Sequence, residues 1–271
     1  MGNFEFKDNE NYFMPMSLLP PGKDGKNALV GAHYNENKRY KVVYRTDREM
    51  IQKLLPPGFI AKDPGIISIC FAECRGIDYM AGGGYNLVCV DADVEFRGKR
   101  DYAEGSYALV LWMDKFYPIL LGRELLGAAK LMADIPDAFV YNNETVTFYA
   151  AEEGTRLLEG KLWNFREKTK EQIEADAKAG EGKCWLGYKY FPSVDLNGAD
   201  VSYATYLPTE NVTKRAWKCD GDFRFIGDIE WTHAPLSWNV ANTLAKLPIY
   251  EIVDAEAWIE SSIYMPNRKL L

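Results

Sequence analysis

The chain has 271 residues, 39 acidic and 32 basic, for a net charge of −7. That length suffices to bury a large core in one β-rich domain, and the acidic balance without a basic stripe excludes nucleic acid as the main partner. No apolar run approaches membrane-spanning length, so a membrane partner is not expected either.

In chain order, residues 1–36 carry Pro15, Pro20 and Pro21 among several glycines and read as an arm that wraps rather than folding regularly. The first residues lack the basic and apolar regions of a signal peptide, which makes a cytoplasmic location the expectation. Residues 37–271 read as a single domain. Strands are expected at 39–45, 66–75, 86–96, 106–113 and 138–150, where β-branched and aromatic residues sit between turn-rich borders. Later strands are expected near 156–164, 184–191, 211–218, 222–231 and 249–264. Helices are expected at 47–54, 118–133, 167–178 and 237–245. Gly82-Gly83-Gly84 lacks the strand–helix context of a phosphate loop and reads as a turn between two strands. So many strands with so few helices indicate a mainly β protein of the α+β class, built as an antiparallel β-barrel.

Lys130 stands out because Leu125-Leu126-Gly127-Ala128-Ala129 precede it and Leu131-Met132 follow it. An ammonium ion is costly to desolvate, so burial drives a lysine toward its neutral, nucleophilic form. A neutral amine attacks a ketone and forms a Schiff base, which is covalent catalysis without metal or cofactor. The competing reading is a lysine whose stem covers apolar surface while its head stays wet. With the segment helical, Arg123, Leu126, Gly127 and Asp134 would share its face. Arg123 would then lie roughly 10 Å away along the axis, leaving desolvation as the main influence on the amine.

Other chemistry is poorly provided for. His33 and His233 are the only histidines, so a multi-histidine metal site is not expected. No Gly-x-Ser-x-Gly elbow, Walker loop or Gly-x-Gly-x-x-Gly turn occurs. Cys70, Cys74, Cys89, Cys184 and Cys219 include no Cys-x-x-Cys pair and read as small buried hydrophobes.

The run Gly122-Arg123-Glu124 leading to Lys130 and Leu131-Met132-Ala133-Asp134 resembles the Schiff-base motif of the acetoacetate decarboxylase family, with Lys130 on the first lysine of that motif's lysine pair and Leu131 on the second. Val42-Val43-Tyr44-Arg45-Thr46-Asp47 with Leu55-Pro56-Pro57-Gly58-Phe59 is similar to the family's first strand and helix. The run from Leu247-Pro248 to Met265-Pro266 is similar to its closing strand. The resemblance implies a barrel with helices at its edge, an oligomer, and Lys130 as the nucleophile. It places Leu87 where the family has a glutamate, and Asn37 where it has an arginine; a gap would bring Arg39 there.

The expected catalytic set is Lys130 with Arg123 and Glu124 supporting it. Arg39 or Arg45 is expected to take a substrate carboxylate, and Tyr85, Asn86 and Leu87 to line the pocket. No cofactor and no metal are expected. The expected function is a Schiff-base lyase on a small keto acid, most simply a β-keto acid decarboxylase acting on something other than acetoacetate. Two alternatives are an aldolase–dehydratase joining pyruvate to an aldehyde, and a barrel that binds a hydrophobic carbonyl compound without turnover. A homo-oligomer is expected.

Overall fold

A computed structural model describes residues 2–6, 12–14 and 31–271. Most of the arm expected over 1–36 lies outside the described residues, and the first strand begins at His33, inside that range. The strands are β1 (His33–Arg45), β2 (Phe59–Ala61), β3 (Ile66–Ile77), β4 (Tyr85–Arg97) and β5 (Tyr102–Met113). Next come β6 (Lys130–Met132), β7 (Phe139–Tyr141), β8 (Thr145–Glu152), β9 (Thr155–Glu167) and β10 (Cys184–Pro192). The last are β11 (Ala199–Leu207), β12 (Thr209–Phe225), β13 (Glu251–Tyr264) and β14 (Arg268–Lys269). Four α-helices, α1 (Arg48–Gln52), α2 (Phe116–Leu121), α3 (Lys170–Ala179) and α4 (Trp238–Ala245), lie among the described residues, and none is long and apolar enough to cross a membrane.

The mainly β, α+β class expected from the pattern is what the structure has. The described strands form one sheet of 14, ordered β14-β11-β10-β5-β4-β3-β1-β13-β12-β9-β8-β7, with β2 on β4 and β6 on β5. Pairing is antiparallel except that β10 and β6 each run parallel to β5. The ladder stays open at β14 and β7 instead of closing into a hydrogen-bonded ring.

Four expected elements differ. The strand at 138–150 is broken by a turn, where Asn142 and Asn143 take positive φ, into β7 and β8. The stretches 211–218 and 222–231 are not two strands: β12 runs unbroken to Phe225, and the residues beyond it are irregular. The helix expected over 118–133 stops early. After α2, Gly122–Leu126 forms a single widened turn, and Gly127 leaves it with φ 70°. A Cβ on Gly127 would sit 2.5 Å from the Lys189 backbone nitrogen, so chain reversal here also needs glycine for space. The chain then enters the sheet, and Lys130 opens a strand.

The centre of the sheet is buried on both faces, which is why β3 and β4 read as nearly continuous apolar runs. Alternation sends Ile67, Ile69, Phe71, Val88 and Val90 to one face. There they meet Phe148, Leu158 and Leu162, with α4 adding Ala241 and Leu244. Ala72, Cys74, Tyr85, Leu87 and Cys89 go to the other face, under Ile119 and Leu121 of α2. Fully burying one such Leu, Ile or Phe contributes roughly 1.5–3 kcal/mol, so both faces hold β3 and β4 firmly in register. The second face carries the site.

Candidate active site

On that face a cavity of about 410 Å³ is lined by Lys130 together with Tyr34, Arg39, Cys74, Tyr85, Leu87, Leu111, Trp258 and Glu260 among others. Sheet register assembles it. Arg39 on β1 faces Ala72 on β3 and Trp258 on β13, while Lys130 on β6 pairs Leu111 on β5. The site thus draws on strands separated by more than 200 residues of sequence.

Lys130 is 6% exposed. Its Nζ donates to the Pro118 carbonyl at 2.9 Å, at the start of α2. The stem lies flat against Gly122, where a Cβ would sit 2.4 Å from both Cδ and Cε and 2.6 Å from Nζ. A side chain at Gly122 would therefore push the lysine stem aside, and glycine serves here by space, since its φ is an ordinary helical −66°. Arg123 donates to the Lys130 carbonyl at 3.0 Å, which fixes the backbone from which the amine projects. Burial lowers the amine pKa from 10.5 to about 8; only Cys74 and Cys89 work in the opposite direction. Burial pushes the Cys74 thiol up to about 11, so it stays neutral at ordinary pH. With an amine pKa of about 8, roughly one molecule in ten carries a free amine at pH 7.

Across the cavity, Arg39 Nε donates to Glu260 Oε1 at 2.6 Å and Trp258 Nε1 donates to Glu260 Oε2 at 2.7 Å. Both carboxylate oxygens are occupied, whereas the terminal nitrogens of Arg39 have no carboxylate partner among the described residues. Desolvation works against the Arg39 charge, but Glu260 overcomes it and holds the pKa well above the usual value.

The remaining expected residues separate cleanly. Tyr85 and Leu87 line the cavity. Asn86 points to the opposite side of β4, where its Nδ2 donates to Ile135 O at 3.1 Å and Asp137 Oδ1 at 2.8 Å. Arg45 is not at the cavity; it pairs with Glu251 at 2.7 Å in an exposed position beside Tyr250. It shares the strand and face of Arg39 but lies six residues on, roughly 20 Å along the strand. Glu124 also lies outside the lining, where partial burial raises its pKa against the pull of Lys189. Asn37 is fully buried and donates to Ser262 Oγ at 2.8 Å. The helical face imagined for Lys130, with Leu126, Gly127 and Asp134, does not exist because Lys130 is on a strand.

Tyr34, Cys74, Trp258 and Glu260 were not expected at the site. Cys74 shares a strand face with Cys70, which alternation reveals, but nothing short-range links Trp258 or Glu260 to Lys130. Among the described residues no cluster of three or more His, Cys, Asp or Glu side chains is placed to hold a metal.

Comparison with known proteins gives the family and the fold. The family model described as acetoacetate decarboxylase matches residues 15–265. The acetoacetate decarboxylase of Burkholderia multivorans is 26% identical over 214 residues, covering 79% of this chain and 78% of that one. The crystal structure of acetoacetate decarboxylase from Legionella pneumophila has a TM-score of 0.73 at 19% identity, covering 90% of this chain and 88% of that chain. The enduracididine biosynthesis enzyme MppR, solved in complex with pyruvate, has a TM-score of 0.72 at 15% identity, with 97% and 98% covered. A second MppR structure holds the condensation product of pyruvate and imidazole 4-carboxaldehyde, with a TM-score of 0.71 at 15% identity and 97% of each chain covered. This chain belongs to the acetoacetate decarboxylase family.

Proposed function

We propose that this protein is a cofactor-free lyase that forms a Schiff base between Lys130 and a small keto acid, and that its reaction is decarboxylation of a β-keto acid other than acetoacetate. The observation that carries this reading is the Lys130 amine, buried on the cavity wall without a carboxylate partner and lowered to about 8 by desolvation. Nζ attacks the ketone carbon and water leaves, giving an iminium. The bond to the carboxylate breaks, its electron pair moves into the iminium, and carbon dioxide departs. Protonation of the resulting enamine carbon and hydrolysis by water then release the ketone and the free amine. Arg39, whose Nε is held by Glu260, offers its terminal nitrogens to orient a substrate carboxylate, and Lys41 and Lys183 add positive charge to the same cavity lining. Leu87, 4% exposed, adds apolar surface where a solvated carboxylate is disfavoured, in the place where the family carries a glutamate.

Cavity size favours a second reading. A four-carbon keto acid displaces about as much as three or four waters, roughly 100 Å³ at ~30 Å³ each. The cavity is about 410 Å³. That leaves room for an aldehyde, so an enamine made from pyruvate could add to a second carbonyl compound and lose water. MppR, with its pyruvate condensation product, is a precedent of the same fold.

Borohydride reduction in the presence of acetoacetate or pyruvate, followed by peptide mass spectrometry, tests the reading. The expected result is a reduced adduct on Lys130 and none in Lys130→Met. Carbon dioxide release then separates decarboxylation from condensation. Absence of any adduct from folded protein would sink both simple keto acids as substrates and bring the non-catalytic binder to the front.

A further inference from the structure

We propose that Tyr79, Tyr34 and Tyr85 form a proton relay into the Lys130 cavity, with Tyr85 as the acid that protonates the enamine carbon. This rests on the Schiff-base reading above and extends it to the groups that move the proton. The Tyr34 and Tyr79 hydroxyls are 2.9 Å apart, and the Tyr85 hydroxyl donates to Tyr34 at 3.3 Å. The order Tyr79–Tyr34–Tyr85 runs from a half-buried residue in the turn between β3 and β4 to the cavity wall. Tyr34 and Tyr85 line the cavity with Lys130 and are 4% and 5% exposed. Their rings cross near perpendicular, at 69° for Tyr34 with Tyr79 and 88° for Tyr34 with Tyr85, which pins the three hydroxyls toward one another.

Packing alone does not call for these hydroxyls. They share an apolar cluster with Ala72, Ile77 and Met113, and Tyr34 and Tyr79 also pack on the rings of Tyr264 and Tyr117; phenylalanine would bury the same carbon surface there without a hydroxyl to desolvate. Burial raises all three phenols above their ordinary pKa, so they stay neutral. Neutrality suits a relay, because a neutral hydroxyl both donates and accepts and its proton rotates between partners. Among the described residues neither carboxylate nor histidine bonds to any of the three hydroxyls.

The enamine nitrogen lone pair forms the C=N bond while the C=C pair takes the Tyr85 proton, making the new C–H bond. Tyr85 oxygen takes a proton from Tyr34, Tyr34 from Tyr79, and Tyr79 from water. The hydroxide left in solvent balances the positive iminium, and hydrolysis of the iminium frees Lys130. Run in reverse, the same relay withdraws a proton from the methyl group of a pyruvate iminium.

That reverse step gives the test. Wild type and variants are incubated with pyruvate in D2O, methyl exchange is followed by proton NMR, and the Lys130 adduct is trapped in parallel with borohydride. Tyr34→Phe should slow exchange by about tenfold or more while leaving trapping intact. Tyr79→Phe should do the same, and being half-buried it keeps the test open if Tyr34→Phe fails to fold. The double variant should be no slower than either single one, because a relay already cut cannot be cut again, whereas independent packing losses would multiply. Wild-type exchange rates with trapping intact, or multiplicative losses, would overturn the relay. Absence of a trapped adduct in wild type would instead overturn the Schiff-base reading beneath it.

Discussion

Lys130 and Lys168 are both withdrawn from solvent, yet their amines shift in opposite directions. Lys130 faces a carbonyl and two neutral thiols, and desolvation takes it down to about 8. The Lys168 side chain is 12% exposed and also suffers desolvation, but Nζ lies 2.8 Å from both Asp176 and Glu256. Those two carboxylates leave its pKa above the ordinary value. Lys168 links α3 to β13 as a permanently charged strut, while Lys130 is a potential nucleophile. Burial alone therefore does not make a lysine reactive; burial without a carboxylate does.

The largest effect should come from erasing the reactive member. Lys130→Met should abolish the borohydride adduct and all turnover. It should also stabilise the fold at pH 7 by up to about 3 kcal/mol, since a pKa held at about 8 instead of 10.5 means the charged form is penalised on folding. The penalty is complete below pH 8 and fades as pH rises to the unfolded value. Urea midpoints of wild type should therefore approach those of Lys130→Met between pH 8 and 10.5. A variant no more stable than wild type at pH 7 would contradict the desolvation argument.

Next in size is converting Lys130 toward the Lys168 condition. Trapping by wild type should rise with pH and reach half its maximum near pH 8, because the neutral amine attacks. Leu87→Glu puts a carboxylate on the wall of the same cavity and should move that midpoint up by about one unit or more. Trapping at pH 7.5 should then slow by roughly tenfold. A midpoint that stays put would show that the two lysines differ for another reason.

A smaller effect is expected from weakening the strut. Burial raises the Glu256 pKa, but Lys41 at 2.5 Å and Lys168 at 2.8 Å overcome this and hold it at about 2. Its contribution is present above about pH 4.5 and disappears as pH falls toward 2. Glu256→Gln should cost roughly 2 kcal/mol at pH 7, allowing for screening by solvent, and should flatten the acid loss of stability in that window. Denaturation midpoints at pH 7 and pH 3 check both parts; equal midpoints at pH 7 would show that Asp176 alone suffices for Lys168.

The two arginines of β1 show where sequence reading stops. Arg39 and Arg45 have the same parity on one strand, so alternation puts them on the same face and leaves their roles equivalent. Only the register against β13 separates them, setting Arg39 opposite Trp258 and Arg45 opposite Glu251 at the exposed end. Helical periodicity carried the reading of 118–133 past Gly122 and Gly127, although those glycines mark a close approach of the lysine stem and a reversal of the chain. Asn86 was grouped with Tyr85 and Leu87 by proximity, while the two-residue period of a strand turns it away.

What the sequence by itself determined was the strand-rich class, the Lys130 motif and the apolar character of its surroundings. These depend on composition, period and near neighbours, which local propensity and hydrophobic patterning record directly. The tertiary structure decided which groups face the amine. Arg39, Glu260, Trp258 and the tyrosines reach it because β1, β3, β4, β5, β6 and β13 lie in register on one buried face. That register is set by pairing between strands far apart in the chain, and no short stretch of residues encodes it.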